Sequence, residues 1–313
     1  MQDASAESNS DIAVCLSSVT KTFGSHVAVD DLNLTVPNGS IYGFIGPNGS
    51  GKTTTLRMIL RIFQPDRGDV QVLGRSVGKT ADDRLGYLPE ERGLYKRMKV
   101  SKLLKYYANL KGYYDCQKHI DSWLEYLQAS TWVNKRIDTL SKGMAQKIQF
   151  VAAVAAKPKL VILDEPFSGL DPINMESLRD AVLLLKERGT TVIFSTHDMD
   201  MAEKLCDTIF MIFKGKKVLD GTIDSIQAQY PANRIRIQFA NPDTRLPQLP
   251  NVIDSSRDGR NHILTLQDPS LAPQLLRKLC DQHEINLYQV VKPSLHDIFI
   301  QIAKPDPAEM ANT

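Results

Sequence analysis

Cysteine is scarce in this chain. The four, Cys15, Cys116, Cys206 and Cys280, lie far apart with no paired spacing, which argues against a disulfide framework and against a cysteine-built zinc site. No apolar run approaches the ~20 residues that cross a bilayer, so any membrane role is expected to run through another chain. The first twenty residues hold Asp3, Glu7 and Asp11 and no apolar core, so no secretory signal is expected. Charge of one sign is also lacking. The 38 Lys and Arg stand against 36 Asp and Glu, and the net charge of +2 gives no support to a nucleic-acid partner. A reducing cytosol fits these absences. Composition is otherwise that of a globular protein, 42% hydrophobic and 24% charged, and 313 residues suggest two domains.

One stretch stands out. Gly46 to Thr54 reads Gly-Pro-Asn-Gly-Ser-Gly-Lys-Thr-Thr, a Gly, four residues, then Gly-Lys-Thr. It follows the apolar run Ile41 to Ile45 and opens a helical-looking run, Thr54 to Phe63. A loop leaving a strand and entering a helix N-terminus turns several backbone N–H groups inward, and with the helix dipole they cradle polyphosphate. Gly46, Gly49 and Gly51 let the backbone pass close to the anion, with Asn48, Ser50 and Thr54 completing the turn. Lys52 is placed for the β and γ phosphates, and the Thr53 hydroxyl for Mg²⁺.

Met1 to Ser10 reads as a loose tail. Ile12 to Leu16 and Leu32 to Val36 alternate as strands, with a turn at Lys21 to Gly24 that puts Phe23 on a loop edge, free to pack inward or to stack on a purine. Asp69 to Leu73 predicts another strand. A short strand follows, ending at Pro89 before the charged loop Glu90-Glu91-Arg92-Gly93. Between Val100 and Asn134, Leu103, Leu104, Tyr107, Leu110, Ile120, Trp123, Leu124 and Leu127 recur at helical spacing, a helical insertion in an α/β pattern. Ser141 is placed as the N-cap of a further helix carrying Ile148, Val151, Ala152 and Ala155. Lys159 to Leu163 then runs as a strand into Asp164-Glu165-Pro166, and strand ends of open α/β sheets are where ligands bind. Ser168-Gly169-Leu170-Asp171-Pro172 reads as a tight turn before a helix over Met175 to Arg188. Thr190 to Phe194 predicts a strand ending in His197, and Ile209 to Leu219 a terminal hairpin. Beyond Thr222 the pattern thins. Arg234 to Phe239, His262 to Leu266 and Ile285 to Val291 then predict strands, with a helix over Gln274 to His283 and turns at Pro242, Pro247 and Pro250, a small α+β module without convergent polar residues.

Taken in order, these elements resemble the ATP-binding cassette family, the nucleotide-binding subunits of ABC transporters, over residues 11 to 224. Gly46 to Thr53 resembles its Walker A loop, Leu160 to Asp164 its Walker B strand, Ser168 to Asp171 its D-loop, His197 its H-loop histidine, and Phe23 falls at its adenine-stacking aromatic. The resemblance implies a P-loop NTPase of α/β class, a mixed core sheet with helices and a helical subdomain at about 96–156. A small α+β accessory domain follows over 225–313, and residues 1–10 form a tail. It also implies ATP and Mg²⁺. Glu165, His197 and Lys52 are the implied catalytic groups, and Thr53, Asp164 and Glu90 the metal-holding ones. Ser141 and Gly143 would be donated in trans by a second cassette, and Asp171 is implied among the nucleotide-binding residues.

Two motifs depart from the family pattern. The signature Leu-Ser-Gly-Gly-Gln stands here as Leu140-Ser141-Lys142-Gly143-Met144, and the usual lid Gln is Glu90. A carboxylate can ligate Mg²⁺ but cannot donate a hydrogen bond. The runs Leu88 to Tyr95 and Pro293 to Phe299 are similar to ABC-2-type exporters, including sodium-efflux ATPase subunits. The implied partners are a multi-span membrane permease and a second cassette, like or unlike, on the cytoplasmic face of the membrane, with no nucleic acid. The alternative is a soluble ABC ATPase acting on a non-transport target. A P-loop kinase or GTPase would leave Ser141 to Met144 and His197 unexplained.

Overall fold

A computed structural model describes residues 11–76, 82–91, 93–230, 233–244, 246, 249 and 251–303. The tail Met1 to Ser10, Arg92 of the charged loop and the turn residues Pro247 and Pro250 lie outside them. The chain divides into two compact units between Thr222 and Ile223.

In the first unit β1 (Ile12–Phe23) and β2 (His26–Pro37) precede β3 (Ile41–Ile45), and the phosphate loop leads into α1 (Lys52–Ile59). Then come β4 (Arg67–Val72), β5 (Arg75–Ser76) and β6 (Leu85–Leu88). The inserted helices are α2 (Val100–Leu110), α3 (Gln117–Tyr126) and α4 (Lys142–Val154). After them β7 (Leu160–Asp164), α5 (Pro172–Glu187), β8 (Thr191–Thr196), α6 (Met199–Leu205), β9 (Thr208–Phe213) and β10 (Lys216–Gly221) complete the unit.

Two sheets result. An antiparallel sheet has the order β2-β1-β4-β5, and a six-stranded sheet the order β10-β9-β3-β8-β7-β6. In the larger sheet the pairs from β9 to β6 are parallel and β10 pairs antiparallel at the edge. Parallel central strands are covered on both faces, which is why β3, β7 and β8 are buried along their whole length and read as continuous apolar runs. Their shared direction brings Ile45, Leu88, Asp164 and Thr196 to one edge. Register fixes the neighbours there, with Asp164 beside Ser195, Leu163 beside Leu88 and Ile45 beside Thr196.

β1 and β2 are longer than their alternation predicts. Lys21, Thr22 and Phe23 belong to β1, and the turn is Gly24-Ser25. The register shifts between Leu16 and Val19, with Ser18 and Asp31 at positive φ, so bulges interrupt the period-two pattern inside paired strands. The inserted helices pack an apolar centre in which the Trp123 and Phe150 rings meet edge to face at 5.5 Å. α4 is buried nearly all round, and Gly86 of β6 admits it: a methyl there would fall 2.5 Å from the Ala153 carbonyl. Leu110, one of the residues at helical spacing in this stretch, is exposed at the last turn of α2.

The second unit begins with α7 (Ile223–Gln227), where the sequence pattern had thinned. It continues with β11 (Arg234–Phe239), β12 (Val252–Asp258), β13 (Asn261–Leu266), α8 (Ala272–Cys280), β14 (Ile285–Val291) and α9 (Leu295–Ala303). The sheet order is β12-β13-β11-β14, all antiparallel, over a core of Ile235, Ile237, Phe239, Leu264, Leu266, Leu275 and Leu279. No described helix is long and apolar enough to cross a membrane.

Candidate active site

The phosphate loop joins β3 to α1. Gly51 at φ +111 precedes the first helical residue, and a methyl there would meet the Ala28 carbonyl at 2.5 Å, so only glycine fits. At Gly46 a methyl would collide with the Ile212 carbonyl. Asn48 and Gly49 form the outward turn, Thr53 and Thr54 lie in the first turn of α1, and the Thr55 hydroxyl donates to the Gly51 carbonyl at 3.0 Å. The Ser50 hydroxyl is buried with no partner among the described residues. Lys52 is 5% exposed and its ammonium donates to the carbonyls of Gly46 at 2.5 Å and Pro47 at 3.1 Å. Burial pulls its pKa below the usual lysine value, while Glu165, Asp164 and Glu90 pull it back up. The three carboxylates therefore lie within electrostatic reach of the same ammonium.

Asp164 ends β7. Its Oδ1 accepts a hydrogen bond from the Ser195 hydroxyl on the neighbouring strand, and burial raises its carboxyl above the usual range, with Glu90 and Glu165 adding to the rise. Glu165 sits at φ +49, a left-handed backbone that costs a non-glycine residue about 1–3 kcal/mol. Its N–H is held by the Ser195 carbonyl at 3.1 Å. Ordinary strand geometry would send Asp164 and Glu165 to opposite faces, and the break in backbone conformation at Glu165 ends that alternation. Glu165 Oε1 lies 2.9 Å from His197 Nδ1, and Thr196 Oγ1 donates to Oε2 at 3.5 Å.

Glu90 is exposed on the loop after β6. The Gln149 side chain of α4 donates to the Pro89 carbonyl at 3.0 Å, and Gln146, one helical turn away, donates to the Pro166 carbonyl at 2.8 Å. The helical layer thus grips the loops on either side of the carboxylates. Burial and the Asp164 charge push the Tyr87 phenol up to about 12.

Ser141, Gly143 and Asp171 form a second group. Ser141 caps α4 by accepting from Met144 N at 3.3 Å, and a methyl on Gly143 would lie 2.6 Å from Asn174 Nδ2. Asp171 caps α5, accepting from Asn174 N at 3.0 Å and Asn174 Nδ2 at 2.5 Å. Lys142 lies over Gly169, where a methyl would collide with its ammonium. Phe23 is 46% exposed, meets Phe63 edge to face at 5.5 Å and has the Lys21 ammonium 5.7 Å from its ring centre. Sequence reasoning did not single out Ser195 or Gln149. Their partners become visible only once β7 pairs with β8 and α4 docks.

Among the described residues no three His, Cys, Asp or Glu side chains gather as a closed metal cage. Asp164 at the end of β7 and Thr53 in the first turn of α1 after the phosphate loop are the donor types that hold Mg²⁺, one or two carboxylates with phosphate oxygens and water.

A family model described as ABC transporter matches residues 29–168, and one described as ATP-binding protein DrrA1-3-like, C-terminal domain, matches residues 221–303. YhaQ of Bacillus subtilis (strain 168), an uncharacterized ABC transporter ATP-binding protein, is 41% identical over 286 residues, 90% of this chain and 96% of its own. Nod factor export ATP-binding protein I of Rhizobium sp. (strain N33) is 30% identical over 300 residues, 94% of this chain and 97% of its own. A solved structure of an ATP-binding subunit of an ABC transporter matches at a TM-score of 0.65 and 27% identity, covering 69% of this chain and 92% of that one.

Proposed function

Because this chain belongs to the ABC transporter family as an ATP-binding subunit, we propose that it is a Mg²⁺-dependent ATPase that drives an exporter from the cytoplasmic face of a membrane. The observation that carries the reading is the buried Glu165 carboxylate, held by His197 beside Asp164 and Lys52 at one sheet edge.

ATP phosphates enter the loop of Gly46 to Thr54, where Asn48, Gly49, Ser50 and Thr54 surround them. The Lys52 ammonium exchanges the Gly46 and Pro47 carbonyls for phosphate oxygens. Thr53, Asp164 and Glu90 would hold Mg²⁺, which when bound neutralises charge on the phosphate oxygens. Glu165 accepts the proton of a water attacking the γ-phosphorus in line, and His197 keeps that carboxylate oriented and reaches the γ-phosphate. Phe23 stacks on the adenine. Ser141 and Gly143 of a second cassette, a copy of this chain or a related one, close the site through the α4 N-terminus, with the Asp171 turn on the same face.

A multi-span membrane permease is the second partner. A groove of about 310 Å³ lined by Tyr87, Pro89, Leu94, Tyr107 and Gln149 opens beside the exposed rings of Tyr95 and Tyr106, where a segment of that protein docks. Export as the direction is supported by the name of the Rhizobium relative. The test is purification of tagged Glu165→Gln chain from membranes with ATP. Recovery of a stable dimer with a multi-span protein and no turnover is expected. Turnover near wild type overturns the role of Glu165, and repeated recovery without a membrane protein overturns the transport role.

A further inference from the structure

At the opposite end of β7 and β8 from Asp164 and Thr196, the first unit has a half-open pocket of about 420 Å³. Its apolar walls are Trp123, Val154, Pro158 and Leu185, and three cations, Lys157, Lys159 and Arg188, stand around it. No Asp or Glu lines it, and among the described residues none of the three cations has a carboxylate partner. Arg188 lies 5.1 Å from the Trp123 ring and Lys157 5.1 Å from the Tyr113 ring, contacts that position the charges without cancelling them.

The ends of the helices account for part of this charge. Arg188 directly follows α5, and Lys157 lies three residues beyond α4. Each helix C-terminus carries about half a negative charge, so the two ends offset about one of the three positive charges. The surplus is felt inside the cavity. The His119 imidazole, which donates to the Val154 carbonyl at 3.0 Å, is held below its ordinary pKa by burial and then by Lys157 and Arg188. Apolar walls with a few convergent polar groups, in a volume of some hundreds of cubic ångströms, are the usual build of a small-molecule site.

We propose that this cavity is a second binding site, for a small organic anion with a compact apolar body and a single carboxylate, sulfonate or phosphate group. The walls between Trp123 and Leu185 take the body, and the Lys157, Lys159 and Arg188 side chains take the acid group through charge-assisted hydrogen bonds. The length of β7, roughly 13 Å at about 3.3 Å per residue, separates it from Asp164, so ATP and this ligand do not compete. The occupied cavity bridges α3 of the helical layer and the segments that lead into β7 and β8.

The test uses the full chain with Trp132→Phe, which leaves Trp123 as the sole indole of the two in the sequence. Naphthalene-1-sulfonate is titrated against Trp123 fluorescence, with naphthalene-1-methanol as its uncharged twin, with and without ATP. Saturable quenching by the sulfonate is expected, at least tenfold weaker for the twin and unchanged by ATP. Arg188→Glu and Lys159→Glu should each weaken the sulfonate at least fivefold at an unaltered melting temperature. Lys159→Glu decides the matter if loss of the Arg188 contact with Trp123 unsettles the fold. Absence of saturable quenching, equal binding of the twin, indifference to both charge reversals, or displacement by ATP overturns the proposal.

Discussion

His197 Nδ1 lies 2.9 Å from Glu165 Oε1, so an imidazole whose side chain is 58% exposed holds a carboxylate that is 8% exposed. In the proposed mechanism that outward reach would let one residue touch both the Glu165 carboxylate and an incoming phosphate. Glu165→Gln preserves shape and hydrogen bonding while removing the base. Phosphate release should fall by about 10²–10⁴-fold, with nucleotide affinity kept within a factor of about two in equilibrium titration. Release near the wild-type rate would remove Glu165 from the chemistry.

Asp164 illustrates a conflict between stability and use. Its folded pKa is raised by burial, so in the folded state the ionised form carries a cost it does not carry in the unfolded chain. That cost is present above the folded pKa and absent below the unfolded value near 3.8. Asp164→Asn should therefore melt higher at pH 7, by about 2–4 °C for each kcal/mol relieved in a domain of this size, with the gain shrinking as pH falls toward 4. A lower melting point at pH 7 would contradict this reading.

Ser195→Ala works on the same carboxylate from the other side. It removes the hydroxyl that donates to Asp164 Oδ1 and leaves a buried acceptor short of a bond, at about 1–3 kcal/mol. The folded pKa of Asp164 should climb further. The loss of stability measured by denaturant should then be larger at pH 7 than at pH 4, and an equal loss at both would show that the hydroxyl does not serve the charged form.

Gln149→Met cuts the bond from α4 to the Pro89 carbonyl. The Gln149 Oε1 atom has no partner among the described residues, so the amide contributes through its donor alone. Amide exchange at Glu90 and Glu91 should speed by about tenfold, the equivalent of about 1.4 kcal/mol for one buried hydrogen bond. Unchanged exchange would mean that the loop before Glu90 is held by other contacts.

Much of the first unit is legible in the sequence because its constraints are local. The phosphate loop needs glycine where the backbone approaches Ala28 and Ile212, and buried parallel strands need unbroken apolar runs. The second unit is harder. β12 is an edge strand with six of seven residues exposed, so no alternation marks it. α9 does carry a readable signal, since the Ser294 hydroxyl accepts from Asp297 N at 3.1 Å while Asp297 accepts from Ser294 N at 3.1 Å, a reciprocal cap. Ser195 is of another kind. Nothing in its own neighbourhood predicts a partner 31 residues away, and only the register of β7 against β8 supplies one.

The contact of Lys142 with Gly169, together with that of Gly143 with Asn174, has a consequence for how paired sites communicate. The turn a chain offers outward rests on the segment four residues beyond its own Glu165. In the proposed pairing of two cassettes, pressure applied to that turn by a neighbour's nucleotide would pass directly to that segment of the home site. Two such chains would sense each other's occupancy through a lever one side chain long, and an unlike neighbour with a different turn could set the timing of hydrolysis here without touching the nucleotide it governs.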